Sequence, residues 1–591
     1  MTTPLTTEGY GIFAYWPATK LDLRAFDVST FSNLSKMFQH NSKTQEVDAT
    51  GWDVSNIEDF SSMFSSCTSL AKITGMSTWD MSAATNLNSM FHGCVALTAI
   101  DLSTWDTSKV TNFNHMFAGC ARLAEIKGVE DLDTSSATNI YNLFINTYLA
   151  QPLDLRKWDV SKVTNVANTF STITGELNIT GWNLASLTDF SSFFSSFRGP
   201  RIIGVEALKT ANATKMASMF SGCSNLENLD LSAYNVDKVN SMYAMFSGCG
   251  KLKTLNLAGW NTGSVTTMYN MFYNDTALET VYGLAGFDVS KVTNMYGLFG
   301  SCNALEVDLS KWDTSAVTTM ERMFLSAQSE GIVGLDNLKT SSVTTMKDMF
   351  QSCHRPSVDM SAWDTSKVTN MDNLFYGSVI DTVNMGCDTS AATSMSNVFY
   401  STSKIKEILN FSAMNKAGMS LTFPTGTSKA KNPLKRLTFR TDLPEGQYAI
   451  RSAINIQYCS LERAAMVEMF NSLPDISALG LSSSYKKITI TGNPCVTGGT
   501  GTVEAGVYEG TVADVAGFVA DNHLGDVDCM VNVDGMQATV PGSMLAEHFA
   551  SMGLVSEDFV FFEYPDVEYT IETLTADDRA IATNKGWTIT G

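Results

Sequence analysis

The chain has 591 residues, 44% of them hydrophobic, with a net charge of −21 and a pI near 4.7. It therefore has ample apolar material for a large core and lacks the basic surface that a phosphate backbone requires, so nucleic acid is excluded as a partner; the basic stretch Lys429 to Arg440 is too local to reverse this. No segment approaches the roughly 18 consecutive apolar residues of a membrane-spanning helix.

Residues 1–20, MTTPLTTEGYGIFAYWPATK, show no basic n-region followed by a long apolar run and no lipobox cysteine. This pattern favours a protein made in a cytoplasm and released by lysis, as a virion component is; an export signal trimmed from the sequence is the alternative. Tyr10, Phe13, Tyr15 and Trp16 predict a cap over the open edge of the first repeat, with an attachment segment for a larger assembly as the second reading.

From Leu21 to about Ser403 one unit recurs fifteen times. Each copy carries a bulky mark, usually Trp, followed twelve residues later by Phe: the pairs run from Phe26/Phe38 and Trp52/Phe64 to Trp363/Phe375 and Cys387/Phe399. The interval inside the pair never varies, whereas the interval from Phe to the next mark runs from 12 to 15 residues. A rigid element cannot absorb a residue without turning its apolar face outward, so the length changes belong to a connection. Counted from the mark, apolar residues fall at +5, +8, +11 and +12, which share one face of a helix; Ser108 and Ser161 are natural N-caps. Upstream, the alternation of Ile100/Leu102, Leu153/Leu155 and Leu255/Leu257 predicts a short strand. Each unit reads as strand, turn, short helix. Because one unit cannot bury its own apolar face, the copies are expected to stack into an α/β solenoid, a right-handed superhelix with one continuous parallel sheet.

The string LDLSxWDTSxVTxMxxMFxxC, seen intact from Leu97 to Cys120 apart from single substitutions, resembles the repeat of BspA-like leucine-rich repeat surface proteins of the Mycoplasma-lipoprotein type, found on bacterial surfaces and in bacteriophage genomes. The resemblance covers about two-thirds of the chain. It implies a leucine-rich-repeat-like solenoid used for adhesion or recognition, and no enzyme.

Three columns of the repeat bear on function. Seven of eleven cysteines (Cys67, Cys94, Cys120, Cys223, Cys249, Cys302, Cys353) stand three residues after the Phe. Two of them have no Cys in either neighbouring copy, which predicts reduced, buried thiols instead of a disulfide framework. No CxxC occurs and the six histidines are scattered, so a zinc site has no support. At −4 the column reads Asp22, Asp48, Gly75, Asp101, Gly128, Asp154, Asn178, Gly204, Asp230, Asn256, Gly283, Asp308, Gly334, Asp359 and Val383. Its aspartates are expected to face outward, either as a solubilising face with spaced charges or as a ligand groove for a hydroxyl-rich glycan or calcium, with Asp101, Asp154, Asp230, Asp308 and Asp359 as ligand-facing candidates. At +9 a mostly small column becomes Tyr243, Tyr269 and Tyr296 in consecutive copies, which reads either as a contact stripe or as packing over the neighbouring unit.

After the solenoid (21–403), residues 404–460 lose both marks and contain Pro424, Pro433 and Pro444, a transition region. Two helix-strand units follow in 461–497 and 571–591. In the first, Ser460 caps a helix to about Ser472 and KKITIT forms a strand; in the second, Thr575 caps a helix over Ala576 to Asn584 before a strand from Trp587. These units are similar to closing repeats of phage-encoded leucine-rich-repeat proteins, which favours a virion component. Residues 498–570 carry no repeat mark and predict a small inserted α+β domain within this C-terminal leucine-rich-repeat-like cap. Its Asp526, Asp528 and Asp534 are weak calcium candidates that lack the spacing of a calcium loop, and GGTGTVEAG lacks the Lys-Ser/Thr of a phosphate loop.

No nucleophile, base and acid appear at a spacing that supports catalysis. The expectation is a non-enzymatic recognition or adhesion protein without cofactor, on a virion surface or tail, binding a host-cell-surface glycan or protein alongside other virion proteins. A purely structural virion role and a bacterial cell-surface adhesin are the alternatives.

Overall fold

In the computed structural model the constant twelve-residue block is rigid, and a run of tight turns makes it so. The residues described are 9–411 except 329, then 432–441, 454–473 except 458, 487–490, 500–503, 506–511, 528–533, 536–551, 559–564, 567–570, 573–585 and 588–590, with positions 424, 493 and 496. They fall in two compact units, the described residues up to 404 and those from 405 on.

The first unit is a solenoid of about fifteen turns. Each turn begins with a strand of two or three residues, from Lys20–Asp22 and Glu46–Asp48 to Ser357–Asp359 and Thr382–Asn384. Strand pairs with strand in parallel, one repeat apart, as in Leu21 with Val47 and Val47 with Ile73. The expected helix is absent from every copy. Position +10 is left-handed in all fifteen, from Lys36 (φ 57°) and Ser62 (57°) to Asn373 (55°) and Asn397 (59°), and so is +14, from His40 (63°) to Ser401 (63°). A right-handed helix cannot pass through such a residue. The three-residue spacing of +5, +8 and +11 comes instead from successive four-residue turns.

The turns share out the backbone donors with a strict alternation. In the second repeat the N–H groups of Met63, Ser65 and Cys67 donate three residues back, to Phe60, Ser62 and Phe64. The intervening N–H groups of Phe60, Ser62, Phe64 and Ser66 donate to Asn86, Asn88, Met90 and His92 of the next repeat, at 3.0, 2.7, 2.8 and 2.6 Å. These backbone donors are thereby satisfied, about half locally and half between repeats. A second line of parallel bridges follows at +7, running Asn33, Asp59, Asn86, Asn112, Asn139, Asn165.

Inside this frame the marks become two columns of rings. The Phe at +12 stacks on its neighbour in every step from Phe38 to Phe399, with centroids 5.1 to 6.3 Å apart and planes within 19°. Phe13 adds one more ring at 5.6 Å from Phe38, while Gly9, Gly11 and Phe13 donate their N–H groups to Asn33, Ser35 and Met37 of the first repeat. The Trp marks pack beside the Phe column and stitch backward: Nε1 of Trp52, Trp158, Trp260 and Trp363 donates to the carbonyls of Leu23, Val129, Leu231 and Leu335 at 2.9 to 3.0 Å. Trp thus supplies both buried area and a donor for the bend that ends the preceding strand.

The sheet is not continuous. It breaks after Lys72–Thr74, Glu125–Lys127, Ile202–Ile203, Thr280–Tyr282 and Ile332–Val333, the five strands followed by Gly75, Gly128, Gly204, Gly283 and Gly334. Each of these glycines is left-handed and opens a 3₁₀ turn. A Cβ on Gly128 would stand 2.5 Å from Ser103 Cα of the preceding repeat. The glycines of the −4 column are therefore required by backbone contact.

In the second unit, strands Ile454–Asn455, Lys487–Thr489 and Thr588–Thr590 form a parallel sheet. The helices Arg463–Ser472 and Ala576–Asn584 are joined by Arg463 Nε to Asp578 at 2.8 Å, and Lys585 donates to the carbonyls of Asn471 and Leu473 at the first helix's end. Thr575 and Asp578 form a reciprocal capping box. Ser460 does not cap the first helix: the residue before it is Glu462, and Ser460 Oγ donates to the carbonyl of Asn432 at 2.9 Å. Between the two helices in sequence lie an antiparallel pair, Thr500–Val503 with Val567–Thr570, a four-stranded antiparallel sheet and the helix Leu545–Ser551.

Two glycines with the same sign of φ separate the effects at work. Gly181 (φ 90°) has open space around its missing Cβ, so Gly181→Ala is expected to cost about 1–2 kcal/mol from backbone strain alone. Gly128→Ala adds the collision with Ser103 and is expected to cost several kcal/mol more, measured as the difference in urea midpoints; equal losses would contradict this packing.

Candidate functional site

The side chains left outside the ring columns are fixed by the same turns. At −4 each aspartate accepts the N–H of the residue two further on: Asp101 from Ser103 at 3.0 Å, Asp154 from Arg156 at 3.3 Å, Asp230 from Ser232 at 2.9 Å, Asp308 from Ser310 and Asp359 from Ser361 at 2.8 Å. These are side-chain-closed turns that start the bend after each strand. Lys127 at 2.7 Å, with Ser103, pulls the Asp101 carboxyl down to about 2. Arg156 lowers Asp154, and Ser232 and Ser310 lower Asp230 and Asp308. Where two aspartates do adjoin, at Asp22 and Asp48, Arg24 lies between them at 2.7 and 3.6 Å.

The same device recurs at two columns that the sequence reading passed over. At +1, Asp53, Asp106, Asp159 and Asp288 accept from Ser55, Ser108, Ser161 and Ser290, so these serines are turn partners and not helix caps. At +7, Asn86, Asn112 and Asn139 accept from Asn88, Asn114 and Tyr141. The repeated D-x-S spelling carried that signal.

The five −4 aspartates are not brought together. Asp101 and Asp154 do line two clefts that open where the sheet breaks. One, of about 450 Å³, lies between Lys72–Thr74 and Ala99–Asp101 with Glu125 and Lys127 at its edge; the other, of about 760 Å³, is lined by Glu125, Lys127, Glu130, Gln151 and Asp154. Among the described residues no three His, Cys, Asp or Glu side chains converge in a metal-holding group. Asp526 and Asp534 lie outside the described residues, and Asp528 begins the strand Asp528–Val533.

The tyrosine column forms a single stack. Tyr243 lies parallel to Tyr269 at 4.9 Å, and Tyr269 parallel to Tyr296 at 4.6 Å. Arg322 closes one end: its guanidinium sits 5.6 Å from the Tyr296 centroid and Nη1 donates to the Tyr296 hydroxyl at 2.7 Å. Asp348, buried, holds Arg322 Nε at 3.0 Å and accepts from Asn373 on its other oxygen. Burial and the two neighbouring rings push the Tyr269 phenol up. Tyr243, at the other end, is 45% exposed. Arg322 and Asp348 were invisible to a reading of the +9 column because they occupy +10 in later repeats. Tyr376 and Tyr400 form a second stacked pair at 5.4 Å, in the +13 column.

The cysteine column is buried and its thiols are free. Six of the seven sulfurs also donate to the carbonyl of the preceding repeat's Phe, as Cys67 to Phe38, Cys94 to Phe64 and Cys302 to Phe272 at 3.0 to 3.2 Å, so the column is more than apolar filling. Burial pushes the Cys67 and Cys120 thiols up to about 12. Asp275 replaces cysteine between Cys249 and Cys302 and is fully buried. One oxygen accepts the Cys249 N–H at 2.8 Å and the other has no partner, so burial drives its carboxyl well above the usual range.

With these columns in place the kinship of the chain can be stated. The family model described as "Mycoplasma protein of unknown function, DUF285" matches residues 10–99, 32–147, 96–201, 197–282, 251–331 and 328–436. The chain belongs to this family. Its matched segments span the solenoid and the stretch that follows. Among solved structures it is similar to a leucine-rich cell surface protein of Faecalibacterium prausnitzii A2-165 (16% identity, 48% of this chain and 85% of that one, TM-score 0.26). It is also similar to a leucine-rich repeat protein of Eubacterium ventriosum (15%, 66% and 87%, TM-score 0.23). A third similar structure is titled a TLR13–ssRNA13 complex (10%, 77% and 85%, TM-score 0.16). No curated protein matches.

Asp275 gives a pH test with a definite sign. Burial raises the folded-state pKa of Asp275 above the value of about 3.8 at which the unfolded chain ionises it, so its contribution to stability falls as pH rises from there. Asp275→Cys, which restores the column, is expected to stabilise on the order of 1–3 kcal/mol at pH 7 and progressively less toward pH 4, read from thermal unfolding of both proteins across that range. A gain that does not change with pH would show that Asp275 is ionised inside the fold.

Proposed function

We propose that this protein is a non-enzymatic recognition protein that displays its repeat columns at a surface and holds a cell-surface glycan or protein through the tyrosine stack. The carrying observation is the placement of Tyr243, Tyr269 and Tyr296: three rings from consecutive repeats are lined up face to face, with Tyr243 exposed at one end and Arg322 and Asp348 fixing the other. A rigid aromatic row supplies contact area at little entropy cost on binding. The resemblance of the repeat to BspA-like leucine-rich repeat surface proteins supports a role in binding or adhesion. The narrower form places the protein on a bacteriophage virion or tail beside other virion proteins, as the C-terminal helix-strand units suggested; the bacterial envelope is the other placement. Mass spectrometry of purified particles against envelope fractions separates the two.

The recognition reading is tested with Tyr243, Tyr269 and Tyr296 all changed to Ala. Binding of the purified protein to intact host cells is expected to fall at least roughly tenfold, the loss of one or more hot-spot contacts, while circular dichroism and the unfolding transition stay cooperative. Unchanged cell binding by a folded triple variant would assign the stack to packing and leave a purely architectural role.

A further inference from the structure

The tyrosine stack is closed at one end and open at the other, and the open end has a definite shape. In the +9 column the repeats preceding Tyr243 carry Ala217 and Ser191. The Ser192 N–H donates to the Ala217 carbonyl at 2.9 Å and the Ser218 N–H to the Tyr243 carbonyl at 2.8 Å, so these positions are direct neighbours along the ladder. The place that a tyrosine ring fills in the three following repeats is thus filled at Ala217 by a methyl group, and one face of Tyr243 looks onto that step. Its other face is covered by Tyr269 at 4.9 Å, and the far end of the row is sealed by Arg322.

We propose that the open face of Tyr243 above Ala217 is a binding slot for a neutral pyranose ring, whose apolar C–H face takes the next place in the stack. This deepens the recognition reading and rests on it. The slot is one repeat wide, the spacing that this solenoid already gives to a flat ring lying on a tyrosine. The residues that neighbour it along the +9 and +10 ladder, Ser191, Ser192 and Ser218, carry hydroxyl groups, which suits a ligand rich in hydroxyl groups. Asp189 and Lys215, at +7 of the two repeats before Tyr243, pair with each other at 3.3 Å, so neither stands there as an uncompensated charge. On a chain of net charge −21 this disfavours acidic sugars.

The test presents the full chain to an array of neutral and sialylated oligosaccharides, followed by titration calorimetry with the best-bound neutral member. Binding to neutral glycans is expected, and Tyr243→Ala and Ala217→Leu should each weaken it by about tenfold, whereas Tyr243→Phe, which keeps the face, should retain it. Ala217→Leu fills the step without touching a tyrosine and lies at a position where the repeat accepts large side chains, so its fold is expected to survive; thermal unfolding checks this. Absence of any neutral-glycan binding, or binding indifferent to Ala217→Leu in a folded variant, overturns the slot. If cell binding is lost in the triple tyrosine variant but survives Ala217→Leu, the recognition reading stands and a protein partner on the edges of the rings replaces the sugar.

Discussion

The structure depends on how the turns divide their backbone donors. A chain that folds back every few residues has to find partners for N–H groups that a helix would satisfy internally, and here they alternate between the carbonyl three residues back and the carbonyl of the next repeat, as in Met63 to Phe60 and Phe64 to Met90. The left-handed residues at +10 and +14 set that alternation, since each reverses the direction in which the following donor points. A left-handed non-glycine residue is unfavourable by about 1–2 kcal/mol in isolation. The inter-repeat hydrogen bond that each turn makes possible, together with a ring added to the Phe column, offsets this cost repeat after repeat. Stability therefore resides between neighbours, and the constancy of the twelve-residue interval follows: one added residue would exchange local donors for inter-repeat donors along the rest of the turn.

This explains how far the sequence could be read. The repeat, its count, its buried positions and its solenoid stacking were legible because the apolar spacing and the fixed interval are properties of the core. Ile57, Phe60, Met63 and Phe64 are all fully buried. The local conformation was misread because apolar residues three apart satisfy a helix and a chain of four-residue turns equally well. What distinguishes them is the residue between the apolar ones: +10 is Asn or Ser in most copies and +14 is Gly, Ser or Asn in all but His40 and Thr172, types that tolerate or favour left-handed backbone and are poor in helix interiors. The backbone contact made by the −4 glycines escaped the sequence for a related reason. As a column of outward positions they looked like gaps between charges, but Gly128 and Gly334 are pressed against the turn of the preceding repeat, with Ser103 and Ser310 within 2.5 Å of the missing Cβ.

The candidate site was legible only in part, because it is built from different columns in different repeats. Three tyrosines at +9 can be seen in a single column. That Arg322 would lie over Tyr296, and that Asp348 and Asn373 would extend the chain of contacts, depends on +9 of one repeat adjoining +10 of the next, a relation that the turn geometry creates and the spelling does not show. The thiol-to-carbonyl contacts have the same origin, since +15 of one repeat meets the +12 carbonyl of the one before it.

A frame of this kind also constrains where function can vary. Core columns tolerate little: Asp275 in the cysteine column leaves a buried oxygen without a partner, and a side chain at Gly128 collides with backbone. The +9 column, by contrast, accepts Ser191, Ala217, Tyr243, Glu321, Lys347 and Asp372 on the same turn with the same hydrogen bonds beneath it. Backbone and core hold each such residue at a fixed height and one repeat from its neighbour, so a change of side chain alters the surface without altering its support. Rings in consecutive copies must then stack at the spacing of the repeat, and where the run of rings stops at a small residue an aromatic face is left uncovered. The open face of Tyr243 thus follows from a row of three tyrosines ending beside Ala217 on a ladder whose spacing is set elsewhere, by the backbone and the Phe column.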